Sequence, residues 1–140
     1  MMQISTDKSQ LDIALIHQFL SVQSAWAKGI SLETVQRSIT NSLCFGGFFE
    51  NRQIAFARVV TDKATFAYLM DVFVLPAYRG RGHAKTLMRA IQEHPDLQDI
   101  RRFILVSSTA RGLYEQFGFK SPAKPETFLE INRPDIYQRP

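Results

Sequence analysis

The chain has 140 residues, of which 45% are apolar and 21% are charged, a globular composition in a length too short for two independent cores. Its net charge of +4 is a mild excess, which by itself favours a solvated surface. The single cysteine, Cys44, excludes an internal disulfide, and no group of His and Cys residues has the spacing of a metal site.

The amino-terminal segment MMQISTDKSQ lacks the basic start and the apolar run of a signal peptide. No apolar stretch approaches the ~20 residues that cross a bilayer. We therefore expect a cytoplasmic protein that does not bind membranes.

The first third of the chain is predicted to hold one short strand and two helices. Residues 2–5 have the pattern of a strand, and a helix is expected from Ser9 until Lys28-Gly29 interrupts it. Ser31 resembles the N-cap of a second helix, and Glu33 in the first turn suits the helix dipole. The apolar stripe of the first helix consists of Leu11, Leu15, Phe19 and Val22.

The middle of the chain is rich in aromatic and β-branched residues, which predicts strands. Three segments are expected, at residues 43–50, 53–61 and 65–75. Short polar stretches at 50–52 and 61–64 separate them and look like hairpin turns. The pattern therefore predicts a three-stranded antiparallel meander whose third strand is central.

The second half of the chain begins with a glycine loop at residues 78–82. The helix that follows carries the apolar stripe Ala84, Leu87, Met88 and Ile91. A strand at 102–107 and a short helix closed by Gly118 come next. Residues 127–131 are the better candidate for an edge strand near the end. This order predicts an α/β (α+β) fold, a mixed sheet with helices on both faces.

The glycine loop lies between a strand and the start of a helix, where amide groups have no intrahelical partners. Gly80 and Gly82 leave the backbone free to curl around an anion, and the helix dipole adds positive potential. Neither the phosphate-binding pattern G-x-x-x-x-G-K-[ST] nor G-x-G-x-x-G is present, because Lys85 stands where the third glycine would be. The loop is therefore predicted to bind an anion such as a pyrophosphate, in a ligand other than those recognised by these two nucleotide-binding motifs.

Two segments carry a family resemblance. Residues 79–84, Arg-Gly-Arg-Gly-His-Ala, fit the R/Q-x-x-G-x-G/A signature of the GNAT superfamily of N-acetyltransferases, and the preceding V-x-V-x-P-x-x-R run, 72–79, resembles its central strand. Residues 110–119 resemble the family's A-x-x-L-Y-E-x-x-G-F signature. One departure is Ser107, where many members carry Asn.

The resemblance implies a GNAT-like fold in a single N-acetyltransferase domain spanning residues 1–140. The expected sheet is central, mostly antiparallel, of about six or seven strands, flanked by four helices and splayed at its central strands. The expected activity is acetyl transfer from acetyl-CoA to a primary amine by direct attack in a ternary complex. The coenzyme-binding residues that the resemblance implies are Phe73, Val74, Arg79, Gly80, Arg81, Gly82, His83, Ala84 and Lys85.

Direct transfer needs an acid for the leaving thiolate and a base for the amine. The resemblance assigns Tyr114 as the general acid. Asp71 is a candidate base, because a carboxylate is rare within a very apolar strand and usually has a function there. It could equally be a structural partner of an Arg side chain or a helix end. Tyr68 acting through water is another candidate, and nothing in the sequence selects Glu33 or Glu50.

The acceptor is expected to be a small-molecule or peptide amine. A non-catalytic sensor of acyl-CoA is the alternative function, and the presence of Tyr114 favours the enzyme. The basic residues coincide with the proposed phosphate loop, and no nucleic-acid-binding motif accompanies them. A homodimer is plausible, since strand edges near the carboxyl terminus could pair.

Overall fold

The computed structural model describes residues 1–138. Its centre is a five-stranded sheet in the order β1-β2-β3-β4-β5. Adjacent strands from β1 to β4 are antiparallel, whereas β4 and β5 are parallel, which confirms the predicted meander and mixed sheet. The strands are β1 Gln3–Ser5, β2 Leu43–Phe49, β3 Arg52–Thr61, β4 Phe66–Val74 and β5 Arg102–Leu105.

Four α-helices accompany the sheet in the described part of the chain: α1 Ile13–Gln18, α2 Leu32–Thr40, α3 His83–Glu93 and α4 Arg111–Glu115. The first predicted helix begins later than expected, because the Asp12 side chain accepts a hydrogen bond from the Leu15 amide and caps it there. It continues as a π-helical turn, Phe19–Gln23. Ser31 caps α2 as predicted. No helix within residues 1–138 is long and apolar enough to cross a membrane.

The sheet buries an apolar cluster on each face. On one face α3 contributes Leu87, Met88 and Ile91, which pack against the strands, and Tyr114 of α4 belongs to the same cluster. On the other face Phe73 packs with residues of α1 and α2. The helical stripe and the alternation of the strands thus cover both faces of the sheet, as the order of elements predicts.

The prediction of six or seven strands is not met in residues 1–138, which form five. The segment predicted as an edge strand at 127–131 begins in a 3₁₀ turn, Pro125–Thr127, and pairs with no strand there. Pro122 and Pro125 lie just before it and remove backbone donors, which disfavours pairing at the start of this segment. The predicted domain also included Arg139 and Pro140, which lie outside the described residues.

Candidate functional site

A cleft opens where β4 and β5 separate. Their pairing runs from Phe66 with Arg102 to Leu69 with Leu105 and stops there. β4 continues to Val74, so its last part has no strand on the side of β5 within the described residues. Backbone groups of Met70–Val74 that point towards β5 are therefore available to a ligand. The splay expected of the central strands is present.

A β-bulge lies at the same point of β4. Phe56 pairs with Phe73 and Arg58 pairs with Met70, so Ala57 of β3 faces two residues of β4. Asp71 has a φ of 54°, in the left-handed region that costs most residues energy. The bulge therefore turns β4 two residues after Leu69, the last residue of β4 that pairs with β5.

The carboxylate of Asp71 is held by two donors. Arg58 Nε donates to Oδ2 at 2.8 Å, and Trp26 Nε1 donates to Oδ1 at 2.8 Å. The Asp71 and Arg58 side chains are only 9% and 12% exposed, so this is a desolvated ion pair. Arg58 also donates to Ser42 Oγ at 3.1 Å. Asp71 thus has the Arg partner that its position in an apolar strand suggested, and each of its oxygens retains one further acceptor site.

The glycine loop presents a row of free amides. The N–H groups of residues 80–85 have no acceptor among residues 1–138, and the first paired amide is that of Thr86, which donates to Gly82 O at 3.2 Å. Gly80 and Gly82 have φ values of 79° and 80°. A Cβ at either position would meet no atom within 4 Å beyond the adjacent residues, so the glycines are required here by backbone conformation and not by a close protein neighbour. These features fit an anion such as a pyrophosphate.

The charged side chains of this loop do not all point into it. Arg79 Nε donates to the carbonyl of Val74 at 2.9 Å and so ties the loop to the end of β4. The guanidinium of Arg81 lies over the ring of Tyr78, 5.5 Å from its centroid. Lys85 is exposed on the first turn of α3, which begins at His83. Unlike Arg79 and Arg81, Lys85 forms no hydrogen bond, ion pair or cation–π contact in the described residues.

The two strand residues predicted to contact the coenzyme have different surroundings. Phe73 is 4% exposed and stacks on Phe19 with ring centroids 4.0 Å apart, so its side chain supports the α1 face of the sheet. Val74 is buried on the other face of the sheet, in the apolar cluster to which α3 contributes. Any contact from Phe73 would come from its backbone, which lies in the part of β4 that no longer pairs with β5.

Tyr114 lies on α4, the helix that follows β5 in the chain. The residue is 8% exposed, and its ring packs edge-on against Phe119 at 6.2 Å. Burial raises the pKa of the Tyr114 hydroxyl, so this group stays protonated at neutral pH. No buried side-chain oxygen or nitrogen in residues 1–138 lacks a hydrogen-bond partner, so the Tyr114 hydroxyl, which forms no hydrogen bond there, is accessible to solvent. Tyr114 also lines a cavity of about 680 Å³ beside β5.

The candidate catalytic residues lie on opposite faces of the sheet. Tyr114 belongs to the cluster that α3 covers, together with Val74. Asp71 faces Arg58 and Trp26 on the side where α1 and α2 pack. Both are adjacent to the strands that part, so the split in the sheet connects the two faces.

The other carboxylates and the thiol have separate roles. Glu33 pairs with Arg37 on the exposed surface of α2, and Glu50 stands in the exposed β2–β3 turn. Cys44 is buried, and burial raises the pKa of its thiol to about 11, which leaves it a poor nucleophile. No group of His, Cys, Asp and Glu within residues 1–138 could hold a metal ion.

Sequence reasoning missed two features of this site. Arg58 was not singled out, although it is the one charged residue in the apolar run from Ile54 to Val60, which is a usable signal. Ser107, the departure from the family pattern, accepts a hydrogen bond from the Ala110 amide at 3.0 Å. It therefore stabilises the turn before α4, which carries Tyr114.

Comparison with known proteins agrees with this geometry. Residues 40–121 match the family model described as the acetyltransferase (GNAT) domain. The crystal structure of a candidate GNAT acetyltransferase of Xanthomonas campestris pv. campestris is 55% identical, covers 99% of this chain and 98% of its own, and superposes with a TM-score of 0.97.

Two more distant proteins extend the comparison. A candidate acetyltransferase of Gibberella zeae is 26% identical in an alignment 134 positions long that spans 79% of this chain and 74% of that protein. A candidate acetyltransferase of Clostridium acetobutylicum, crystallised with acetyl-CoA, shares the fold with 22% identity, a TM-score of 0.70, and 94% and 96% coverage of the two chains. With more than half of its length matched by the family model, the chain belongs to the GNAT acetyltransferase family.

Proposed function

We propose that this protein transfers the acetyl group of acetyl-CoA directly to a primary amine, in a ternary complex at the split between β4 and β5. The pyrophosphate of the coenzyme binds the free amides of residues 80–85. The pantetheine arm lies along the backbone of Met70–Val74, on the side where β4 no longer pairs with β5. Lys85 adds a positive charge near the phosphates, while Arg79 holds the loop against β4.

The chemical step forms a C–N bond and breaks the C–S bond of the thioester. The neutral amine attacks the carbonyl carbon, and the tetrahedral intermediate collapses with departure of the coenzyme thiolate. Tyr114 donates its proton to that sulfur, a role that suits a phenol whose pKa is raised by burial, because its hydroxyl stays protonated at neutral pH. The amine releases one proton, which a base must accept.

We assign that proton to Asp71, acting through a bound water. Its free acceptor sites lie on the face opposite Tyr114, so the amine would approach from the α1–α2 side while the thiol leaves on the α3–α4 side. The alternative is that Asp71 only positions Trp26, which is 50% exposed and can form a wall of the acceptor site. Tyr68 would then take the proton through water.

The pH profile of Asp71→Asn separates these roles. If Asp71 is the base, kcat falls and the acidic limb of the profile changes. If Asp71 only positions Trp26, the KM for the amine rises and the profile keeps its shape. Trp26→Phe is the matched control, because it removes the indole donor and leaves the carboxylate in place.

The row of free amides beside the open strand is the observation that carries the proposed function. The direct test mixes the protein with acetyl-CoA and a panel of amines that includes small molecules, amino acids and peptides, and follows release of the thiol. Thiol release that depends on an amine, together with coenzyme A binding in a calorimeter, is expected. Absence of binding and of turnover with every amine would refute the proposal.

A further inference from the structure

Trp26 is the single tryptophan of the chain, and it lies in the loop between the π-helical turn and α2. Its indole N–H donates to Asp71 Oδ1 at 2.8 Å, while half of the residue stays exposed. Because the N–H bond lies in the plane of the indole, this hydrogen bond occupies the edge of the ring and neither of its faces. The exposed surface of Trp26 is therefore apolar ring beside a carboxylate.

The loop that carries Trp26 is fixed at its base. Ser24 is buried, and its Oγ accepts a hydrogen bond from the Ala27 amide at 3.0 Å. Further along the loop, the backbone of Tyr137 packs on Gly29 so closely that a Cβ there would lie 2.6 Å from the Tyr137 carbonyl oxygen. With both the loop and the indole nitrogen held, the ring is preorganised, which lowers the entropic cost of binding a ligand on its face.

The carboxylate beside the ring can still accept hydrogen bonds from an amine. Trp26 Nε1 donates to Oδ1 of Asp71 and Arg58 Nε donates to Oδ2, so each oxygen retains a second acceptor site. Oδ1 and the indole nitrogen are 2.8 Å apart. The carbon chain of an amine that reaches Oδ1, directly or through a water, therefore lies within contact distance of the indole.

The charges around Asp71 do not suit an acceptor with a second ionic group. Arg58 already balances the Asp71 carboxylate in a desolvated pair. Residues 24–30 include one cation, Lys28, and no carboxylate, and the segment that packs on them, residues 133–138, adds one acid and one base. A second ammonium would therefore meet no net negative charge. A carboxylate close to the amine would face that of Asp71, and like charges repel.

The other groups near this pair are apolar. Arg58 Nη2 lies 3.5 Å from Met70 Sδ, so a polarizable thioether borders the guanidinium. Val106, which directly follows β5 where the strands part, is 81% exposed. An acceptor with an apolar group would cover such surface and remove it from water.

We propose that the acceptor is an arylalkylamine, a primary monoamine that carries a flat apolar ring, and that Trp26 selects it by stacking on that ring. The proposal rests on the acetyl transfer proposed above and names the chemical class of the acceptor. Asp71 receives the amine, and the fixed indole beside it receives the aromatic group.

The fluorescence of Trp26 tests the amine site without acetyl transfer. Because the chain has one tryptophan, emission excited beyond the tyrosine absorption reports on this ring alone. 2-Phenylethylamine, titrated into the protein with coenzyme A in place of acetyl-CoA, should change the emission saturably. Saturable binding without thiol release from acetyl-CoA would support the amine site and refute the transfer. Thiol release that leaves the emission unchanged would overturn the present proposal alone.

Matched amines test the selectivity through kcat/KM. 2-Phenylethylamine should exceed 2-cyclohexylethylamine, which has similar bulk without a flat ring, by about 2- to 10-fold, the preference expected of an aromatic pair. Phenylalanine differs from 2-phenylethylamine by its α-carboxylate, and 1,4-diaminobutane differs from butylamine by its second amine. Each should be a poorer acceptor than its parent, and preference for either would overturn the proposal.

Substitution of Trp26 assigns the selectivity to this ring. Trp26→Leu keeps an apolar side chain and should abolish the preference for phenyl over cyclohexyl, whereas Trp26→Phe keeps a ring and should retain it. Val22→Ala is the matched control, since Val22 is 62% exposed on the turn before the loop, and it should behave as wild type. Circular dichroism and urea unfolding check that each variant is folded. A phenyl preference that persists in folded Trp26→Leu would overturn the role of Trp26.

Discussion

Substitution of Asp71 is the sharpest probe of the site, because this residue combines a desolvated ion pair with a left-handed backbone. Asn, Gly and Ala remove these features in different combinations. Asn tolerates the positive φ and loses the charge, Gly relieves the backbone and loses the side chain, and Ala loses the side chain while strain remains. The three variants therefore separate the electrostatic from the conformational contribution.

The magnitudes follow from the burial of the pair. Removing the carboxylate leaves the Arg58 side chain, 12% exposed, without its partner, and breaking such a pair costs about 3–5 kcal/mol. We therefore expect Asp71→Ala, which keeps the left-handed strain that Asp71 already bears, to lose about that much free energy of unfolding. Asp71→Gly should lose about 1–2 kcal/mol less because the strain is relieved, a gain reduced by the roughly 0.5–1 kcal/mol that glycine costs in backbone entropy. Asp71→Asn should lose about 1–3 kcal/mol, because its amide cannot accept from both donors.

Urea unfolding of the three variants measures this order, with Asn least and Ala most destabilised. The double variant Arg58→Met with Asp71→Gly supplies the control, because it leaves no charge buried alone. It should be more stable than Asp71→Gly by itself. An Ala variant as stable as the Gly variant would refute the strain argument, and additive losses in the double variant would refute the ion-pair argument.

Three further substitutions test other parts of the structure. Tyr114→Phe should lower kcat by about 10²-fold with little change in the KM for acetyl-CoA, and steady-state kinetics that show an unchanged kcat would remove Tyr114 from the role of acid. Gly82→Ala should lower the free energy of unfolding by only about 1–2 kcal/mol, because alanine is strained at the left-handed φ of 80° but its Cβ has no close protein neighbour. The same variant should bind the coenzyme more weakly in a calorimeter, and undiminished affinity would contradict the role of the loop in phosphate binding. Asp62 accepts hydrogen bonds from the Thr65 hydroxyl and from the amides of residues 64–66, which hold its pKa below the usual value. Its stabilising effect is therefore present above the unfolded pKa and lost as pH falls through the lower folded pKa, so Asp62→Ala should destabilise the protein at pH 7 and much less in strong acid. Thermal unfolding at the two pH values measures the difference, and an equal loss at both would contradict the assignment.

The elements that sequence could predict are those with a local cause. The meander follows from β-branched and aromatic runs with polar turns between them, and α3 follows from its apolar stripe. Ser31 was identified as a cap because its hydroxyl needs only the amide three residues on. The glycine loop was predicted for the same reason, since two glycines before a helix have few other uses.

The features that sequence could not predict depend on distant partners. The run from Tyr68 to Val74 is apolar apart from Asp71, so its pattern gives no sign of a bulge, which only the register with β3 reveals. The hydrogen bond that Trp26 donates to Asp71 joins residues that are 45 positions apart in sequence. The segment 127–131 has the composition of a strand, yet its start belongs to a 3₁₀ turn and it pairs with none of the five strands in residues 1–138.

The bulge in β4 also decides where this strand can change length. Ala67 and Leu69 before it and Val74 after it pack into the same cluster, although Leu69 and Val74 are an odd number of residues apart. Deleting Asp71 would restore strict alternation and keep every other side chain on its own face. Deleting a residue elsewhere in the strand would move the side chains on one side of the deletion to the opposite face of the sheet. A deletion of one residue at the bulge therefore keeps the apolar side chains in the core, whereas a deletion beside the bulge does not.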